Sequence, residues 1–501
     1  MNIILVLIDS LNRHQMNAYK DSWIKTPNID AFAAKSFRFD NHFVGSLPCM
    51  PARREIFSGQ KEMMWRPWGP LEPSDIPLPH LLADAGLTTA LVTDHYHYWE
   101  EPANGYLQTY QSVHLVRGHE IDFWNPPLPA DEPLPAFAQA IDNWRPGYGR
   151  RYYANVKDFK REEDFFPAKV FSGAAEWLRR NDRNRPFFLH VESFDVHEPF
   201  HVPEPYFSMY NKETGTDDFT VWPPYQDAKK QAAYFAKASE KELNFVRSQY
   251  AGKMTMVDKW FGHLMAELDR QNLWKDTMVI VTTDHGHDLG ERKAFGKSYP
   301  HYDSHANIPL FVWHPDFADK TRKVTGLTQT VDLYATVLEA AGSKPLKDTH
   351  SRSWMPLLKG DESIRSALTY GTFGQGICIT DGNWSLFKSP VDDRGLFIYS
   401  SLIYRPLVVD SQVGSQIVTD VTVPAESGNF VPDSPFPQWK TPMKIAPRNL
   451  ENFLFDRRND PSQTKNLWAT NIQQRERMLN ALRGILKAEG APPEQWERLG
   501  L

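Results

Sequence analysis

The run Ile3-Ile4-Leu5-Val6-Leu7-Ile8, which is followed by Asp9, decides how this 501-residue chain is interpreted. Such a continuous series of β-branched residues and leucines is typical of a strand buried on both faces of a parallel sheet. Similar runs lie at residues 89–92, 187–191, 278–282 and 310–313. Helical patterns stand between them, at residues 78–85, 171–180, 243–268 and 330–341. This alternation predicts an α/β fold with a large, mostly parallel sheet sandwiched by helices.

Outside this alternation the chain changes character in three places. Residues 98–167 and 199–224 are rich in Trp, Tyr and Pro, and we interpret them as insertions that wall a pocket. From about Tyr370 the strand-like segments become short, and a final helix is predicted over residues 472–489. We therefore predict a large α/β domain over residues 1–369 and a smaller C-terminal α+β unit over residues 370–501.

The composition excludes several classes of protein. Apolar residues make up 41% and charged residues 24% of the chain, as in ordinary globular proteins, and the formal net charge is -6. No run of Lys or Arg is present, so nucleic acid and anionic membrane are not expected as partners. The two cysteines, Cys49 and Cys378, cannot form a disulfide framework. The N-terminal apolar run is too short for a signal peptide, so the sequence predicts a cytoplasmic protein or one exported by a route that the sequence does not show. A homo-oligomer stays open.

The most specific local pattern is Cys49-Met50-Pro51-Ala52-Arg53, with Ser58-Gly59 downstream. Proline suits the first turn of a helix, so Cys49 is expected at a helix N-terminus, where anions are favoured. Arg53 would then lie on the same turn. The alternative is a buried free cysteine beside an ordinary loop.

Acidic and imidazole groups follow two of the predicted strands. Asp9 follows the first strand, and Asp284-His285 follow the strand at residues 278–282. Open α/β sheets place their sites at the carboxyl ends of strands. Carboxylate oxygens suit Ca²⁺, Mg²⁺ or Mn²⁺, and an imidazole favours Mn²⁺ slightly. Helix capping is the structural alternative for either aspartate.

The order of these parts resembles the sulfatase family: an apolar strand ending in Asp, then C-x-P-x-R, then a strand ending in D-H-G. The resemblance runs from Ile3 to about Leu310 and resumes weakly over residues 454–467. It implies an alkaline phosphatase-like fold whose catalytic site lies in residues 1–369, and hydrolysis of aryl or sugar sulfate esters. In that family a formylglycine-generating enzyme oxidises the cysteine, here Cys49, to an aldehyde. The aldehyde hydrates, one hydroxyl attacks sulfur or phosphorus, and the other expels the sulfate.

The resemblance also implies roles for individual residues. One divalent cation, Ca²⁺ or Mn²⁺ ahead of Mg²⁺, would be held by Asp9, Asp284, His285 and Cys49. Arg53 would hold the hydrated aldehyde. Lys297 would contact the sulfate and the leaving-group oxygen, and His197 would donate to the sulfate or protonate the leaving group. The structural alternatives are a solvated lysine and an ordinary loop histidine.

The sequence departs from the family pattern in ways that keep other substrates open. Ser10 stands where many sulfatases have a second acidic residue, and Gln60 replaces a usual basic residue. The family's G-K-x-H segment is replaced by V-T-D-H-Y-H, which leaves Thr93, His95 or His97 as candidates for the missing lysine. With fewer cationic side chains to bind the substrate than the family usually has, a phosphonate monoester or phosphodiester hydrolase is the alternative. A two-metal phosphatase would need a second Asp/His cluster, and a non-enzymatic scaffold would not need all these residues.

Overall fold

The computed structural model describes the chain except residues 100–104, 182–184, 226–227, 298, 321, 345, 347, 361, 394, 403–425, 432–433 and 444. The strands of the described residues are β1 (Asn2–Ile8), β2 (Phe37–Phe39), β3 (His42–Phe43), β4 (Ser46–Leu47), β5 (Thr88–Thr93), β6 (Ser112–Leu115), β7 (Phe187–Ser193), β8 (Thr277–Thr282), β9 (Asp288–Leu289), β10 (Phe295–Gly296), β11 (Leu310–Trp313), β12 (Lys323–Val324), β13 (Thr328–Gln329), β14 (Leu368–Thr372), β15 (Ile377–Thr380), β16 (Trp384–Lys388), β17 (Leu396–Ser400), β18 (Glu426–Gly428), β19 (Gln438–Met443) and β20 (Phe453–Asp456).

The α-helices of the same residues lie between and after these strands. They are α1 (Pro27–Ala34), α2 (Cys49–Ser58), α3 (Leu78–Asp84), α4 (Ala136–Trp144), α5 (Tyr148–Val156), α6 (Phe166–Arg180), α7 (Tyr206–Met209), α8 (Ala228–Lys237), α9 (Glu240–Arg270), α10 (Asp303–Ala306), α11 (Asp332–Ala340), α12 (Met355–Lys359), α13 (Ile472–Ala488) and α14 (Pro493–Leu499). No helix of the described residues is long and apolar enough to cross a bilayer.

The central sheet has the strand order β12-β2-β11-β8-β1-β7-β5-β6. Strands β8, β1, β7, β5 and β6 run parallel, and β11 is antiparallel to both of its neighbours. All five apolar runs of the sequence are strands of this sheet, which confirms the predicted mostly parallel architecture. The strands β2, β6 and β12 were not predicted, because they are short and lie at or next to the sheet edges, where one face need not be apolar.

Both faces of the central strand β1 are buried. Ile4, Val6 and Ile8 pack in one hydrophobic cluster with residues of α6 and α9. The alternate residues, such as Leu5, pack in a second cluster with residues of α2 and α11. Side chains alternate across a strand, so an uninterrupted apolar run is needed where helices cover both faces.

The C-terminal residues form a smaller sheet with the order β20-β16-β15-β14-β4. Its core includes Met478 and Leu482 of α13, which covers one face. Strand β4 comes from the N-terminal part of the chain and pairs in parallel with β14. The smaller C-terminal unit is thus confirmed as a fold element, whereas its boundary at residue 370 stays a prediction. The final predicted helix corresponds to α13, and α14 follows it.

Candidate active site

Four buried side chains meet at the carboxyl end of the central sheet. Asp9 follows β1, Asp284 and His285 follow β8, and Cys49 is the first residue of α2. One ligand atom from each of the four lies within 4.8 Å of one from each of the others. The residues proposed from the sequence as cation ligands are therefore brought together, although Cys49 and Asp284 are 235 positions apart in the sequence.

Cys49 lies at the N-terminus of α2, as the Cys-Met-Pro-Ala-Arg pattern predicts. Its Sγ lies 3.2 Å from Nε2 of His285, and the side chain is almost fully buried. Burial raises the pKa of the Cys49 thiol well above its usual value, and the nearby Asp9 and Asp284 add to this effect while Lys297 opposes it. An unmodified thiol here is a poor nucleophile, because the thiolate is the reactive form.

Arg53, one helical turn after Cys49, connects the acidic groups of the site. Its Nη2 donates to Oδ2 of Asp9 at 2.8 Å, and its Nη1 donates to Oδ2 of Asp284 at 2.6 Å. Its Nε donates to Oε1 of Glu192 on β7 at 2.5 Å, and Nη1 also reaches the carbonyl of Cys49 at 2.9 Å. All these charged side chains are fully buried. Arg53 thus orients both carboxylates and the start of α2 together.

The charges of this cluster leave room for a cation. Burial and the neighbouring Asp284 raise the pKa of Asp9 well above its usual value. Burial acts the same way on Asp284, but His285 and Arg53 outweigh it and hold the pKa of Asp284 below its usual value. Two carboxylates this close repel each other, and a single guanidinium shared with Glu192 compensates them incompletely. Two carboxylates and an imidazole are a donor set that a divalent cation fits.

Ser10 supports Asp9 rather than standing in for the missing acidic residue. Its Oγ donates to Oδ1 of Asp9 at 2.7 Å, and its backbone N–H donates to Oδ1 of Asp284 at 3.3 Å. The residue adopts a left-handed backbone with φ 63°, which turns the chain sharply after β1. Gln60 and Lys61 lie elsewhere: Gln60 donates to the carbonyl of Asp348, and Nζ of Lys61 contacts Thr369 on β14 and Glu489 at the end of α13.

Lys297 and His197 form a second buried group. Nζ of Lys297 donates to Nε2 of His197, while Nδ1 of His197 lies 3.1 Å from Oε1 of Glu120 and 3.2 Å from Oε2 of Glu198. Burial lowers the pKa of His197, and the adjacent Lys297 lowers it further. Burial also lowers the pKa of Lys297, but the surrounding Cys49, Glu198 and Tyr225 outweigh it and raise the pKa. At neutral pH the lysine is therefore the charged donor of the pair and the imidazole the acceptor.

The segment that replaces the family's lysine-containing motif also lies at the site. Oγ1 of Thr93 donates to Oε2 of Glu192 at 3.1 Å. Nε2 of His95 lies 3.8 Å from Oδ2 of Asp9, and neither ring nitrogen of this buried histidine has a hydrogen-bond partner among the described residues.

Two further polar residues of this segment have other neighbours. Nε2 of His97 lies 3.6 Å from Glu120. Asp94 accepts the backbone N–H of Phe194 at 2.6 Å, and burial followed by repulsion from Asp195 raises its pKa.

Three acidic residues of the site were not found from the sequence. Glu192 lies on β7 directly after the apolar run at residues 187–191, so a charged residue ending a buried strand was a usable signal. Glu198 directly follows His197 in the sequence, and Glu120 lies in a segment interpreted as an insertion. Glu192 contacts Arg53 and Glu120 contacts His197, and both contacts join residues distant in sequence, which no local pattern encodes.

Comparisons with known proteins agree with this geometry. A family model described as Sulfatase matches residues 1–343. The multifunctional alkaline phosphatase superfamily protein PehA of Trinickia caryophylli is 25% identical over 71% of this chain and 77% of its own length. An arylsulfatase of Clostridium perfringens is 22% identical over 72% and 82% respectively. The phosphonate monoester hydrolase of Agrobacterium radiobacter superposes with a TM-score of 0.68 at 18% identity, covering 97% of this chain and 96% of that one.

Proposed function

The chain belongs to the sulfatase family, and from that premise we propose that it is a sulfuric ester hydrolase acting on aryl or sugar sulfate esters. The observation that carries this proposal is the buried cluster of Asp9, Cys49, Asp284 and His285, which surrounds the start of α2. Cys49 is the proposed precursor of formylglycine, made by a formylglycine-generating enzyme. Its position at a helix N-terminus favours the anionic group that the reaction brings there.

Asp9, Asp284, His285 and residue 49 would hold one divalent cation, Ca²⁺ or Mn²⁺ ahead of Mg²⁺. When bound, this cation would supply positive charge that stabilises the developing anions, and the hydrated aldehyde would supply the attacking hydroxyl. Arg53 fixes the two carboxylates, and through the carbonyl of Cys49 it also fixes the residue that reacts.

In this proposal Lys297 and His197 act on the leaving group of the ester. The charged Lys297 donates to the leaving-group oxygen, where negative charge appears as the ester bond breaks. His197, neutral at neutral pH, accepts from Lys297 and holds its ammonium in place. Of the three candidates for the missing lysine, we favour His95, because both of its ring nitrogens are available beside Asp9.

A phosphonate monoester or phosphodiester hydrolase is the second candidate. It is favoured by the loss of the usual sulfate-binding lysine, whose place Thr93, Asp94 and His95 occupy. The likeness to a phosphonate monoester hydrolase supports the fold only. Both candidates share a reacting group that carries a single negative charge.

A panel of matched esters tests the proposed function. We would measure kcat/KM at neutral pH for an aryl sulfate, an aryl phenylphosphonate, a phosphodiester and a phosphate monoester with the same leaving group. One uncompensated charge costs roughly 4 kcal/mol at 4 Å with an effective dielectric of 20, so monoanionic esters should exceed the phosphate monoester by about 100-fold or more. The sulfate should rank first. A phosphonate or diester in first place selects the second candidate, and a preferred phosphate monoester overturns both.

A further inference from the structure

A cavity of about 460 Å³ opens beside Lys297. Four of the residues that line it are cationic, namely Arg292, Lys293, Lys297 and Arg448. No Asp or Glu is among its lining residues in the described part of the chain. The formal net charge of the whole chain is -6, so this cationic surface does not follow from the average composition.

The cavity also has an aromatic side. Phe235, Tyr299 and Tyr302 belong to its wall. The guanidinium of Arg292 lies 3.7 Å from the ring centroid of Tyr302, and its Nη2 donates to the carbonyl of Ser462 at 2.9 Å. Both contacts hold Arg292 in place in the cavity wall. Flat apolar rings next to fixed cations suit a ring-shaped organic group that itself carries an anion.

Lys297 connects this cavity with the active site, because its Nζ donates to His197 and the residue also belongs to the cavity wall. The organic group of an ester whose leaving oxygen meets Lys297 would extend into the cavity that Arg292, Lys293 and Arg448 also line. Resting on the proposed function, we infer that this cavity binds a second anionic substituent, a carboxylate or a further sulfate, on the leaving group of the ester. The preferred substrate would then carry at least two separate negative charges.

This inference is compatible with a singly charged reacting group. The reacting sulfate meets Cys49 and the acidic cluster, where extra negative charge is unfavourable. The second anion would lie in a cavity with no Asp or Glu among its described lining residues, where the lining cations attract it. The cavity therefore predicts which organic group the enzyme prefers, independently of whether sulfur or phosphorus is attacked.

The test compares aryl sulfates that carry a ring carboxylate or the corresponding uncharged carboxamide. The wild-type enzyme should favour the carboxylate by about tenfold or more in kcat/KM, mainly through KM, since about 1.4 kcal/mol corresponds to a factor of ten. Lys293→Gln and Arg448→Gln should each remove most of this preference, because kcat/KM should fall far more for the carboxylate ester than for the carboxamide ester. The control is Lys275→Gln, which makes the same charge change at an exposed position. Lys275 lies just before the first residue of β8, whereas the active-site residues follow the last residue of that strand.

A second measurement separates failure of this inference from failure of the proposed function. Calorimetry on full-length Cys49→Ser protein gives the affinity for the same two esters without turnover, and the carboxylate should bind about tenfold tighter. Turnover of the carboxamide sulfate without any carboxylate preference would overturn the cavity inference and keep the sulfatase activity. Equal binding of the two esters by Cys49→Ser would overturn it as well. If phosphonates alone are hydrolysed, the preference should persist in the matching phosphonate pair.

Discussion

The acidic cluster around Arg53 and the cationic cavity beside Lys297 adjoin the same catalytic centre, but they contain opposite charges. In the first, the carboxylates of Asp9, Asp284 and Glu192 all bond one guanidinium and are fully buried. In the second, cations line a cavity without carboxylates among its described residues. In the proposed account this difference is a division of labour: the acidic cluster would hold a cation and the nucleophile, and the cavity would hold the anionic substituent of the leaving group.

The two regions also differ in how they are built. The acidic cluster lies on strand ends and the first turn of α2, whose backbones the central sheet fixes. Arg292 and Lys293 of the cavity lie on a short turn after β9, and both adopt left-handed backbones. Rigid elements suit a reaction centre that needs precise geometry, whereas turns suit contacts that vary with the substrate.

The largest effect is expected from breaking the acidic cluster with Asp284→Ala. The variant should lose its bound cation and about 10³-fold or more of its activity, because it removes a ligand and a partner of Arg53. Metal analysis of purified wild-type protein should find one ion per chain. Asp276→Ala, at the other end of β8, is the matched control and should keep both metal and activity. Two tightly bound ions per wild-type chain would favour the two-metal alternative instead.

On the cationic side, Lys297→Ala should lower kcat by about 10²- to 10³-fold. The loss should be greatest for esters with poor leaving groups, because in the proposed mechanism the lysine would neutralise charge on the departing oxygen. A series of aryl sulfates with graded phenol pKa values measures this directly. The slope of log kcat against phenol pKa should be steeper in the variant than in the wild type. An unchanged slope with uniformly lower rates would assign Lys297 to binding alone.

A smaller effect is expected from Glu192→Gln, which weakens the fixation of Arg53 without touching a proposed cation ligand. We expect kcat to fall by about 10- to 100-fold, the size of effect that slight misplacement of a reacting group produces. Metal content should stay at one ion per chain. Thr93→Val removes the hydroxyl that donates to Glu192 and accepts the backbone N–H of His95, and it should lower kcat less than Glu192→Gln does. Loss of the metal in Glu192→Gln would contradict a positioning role.

The smallest effect concerns the pH dependence set by His197. Burial and Lys297 lower the pKa of His197, so the folded enzyme loses this proton at a lower pH than an ordinary histidine. The acidic limb that His197 gives to the pH profile of kcat/KM should therefore lie below the usual pKa range of histidine, and the profile should be flat around neutral pH. The folded state binds fewer protons there, so stability should also fall as pH falls.

Glu120→Gln tests the direction of that shift. The Glu120 carboxylate faces Nδ1 of His197 and raises the pKa of the imidazole. Burial raises the pKa of Glu120 itself, but the contact with His197 outweighs burial and lowers this pKa to about 2. Removing its charge should move the acidic limb of the pH–rate profile to still lower pH. Movement toward higher pH would contradict the assignment of this limb to His197.

The sequence predicted the central sheet because its strands are buried on both faces and their apolar runs are unbroken. Strands such as β6, with partly exposed side chains, carry no such signal. Cys49, Arg53, Asp9 and Asp284 could be proposed because each stands in a short motif or directly after a strand. Glu192 and Glu120 act through contacts made only in the fold, and the cationic cavity combines residues 156 positions apart, from Arg292 to Arg448.

The state of residue 49 in active enzyme tests the central claim most directly. Mass spectrometry of the peptide that contains residue 49 should show sulfur replaced by oxygen with the loss of two hydrogens, the change from cysteine to formylglycine. The modified fraction should rise in proportion to specific activity when a formylglycine-generating enzyme is co-expressed, and Cys49→Ala should be inactive. Fully active enzyme in which every copy retains an unmodified Cys49 would contradict the account.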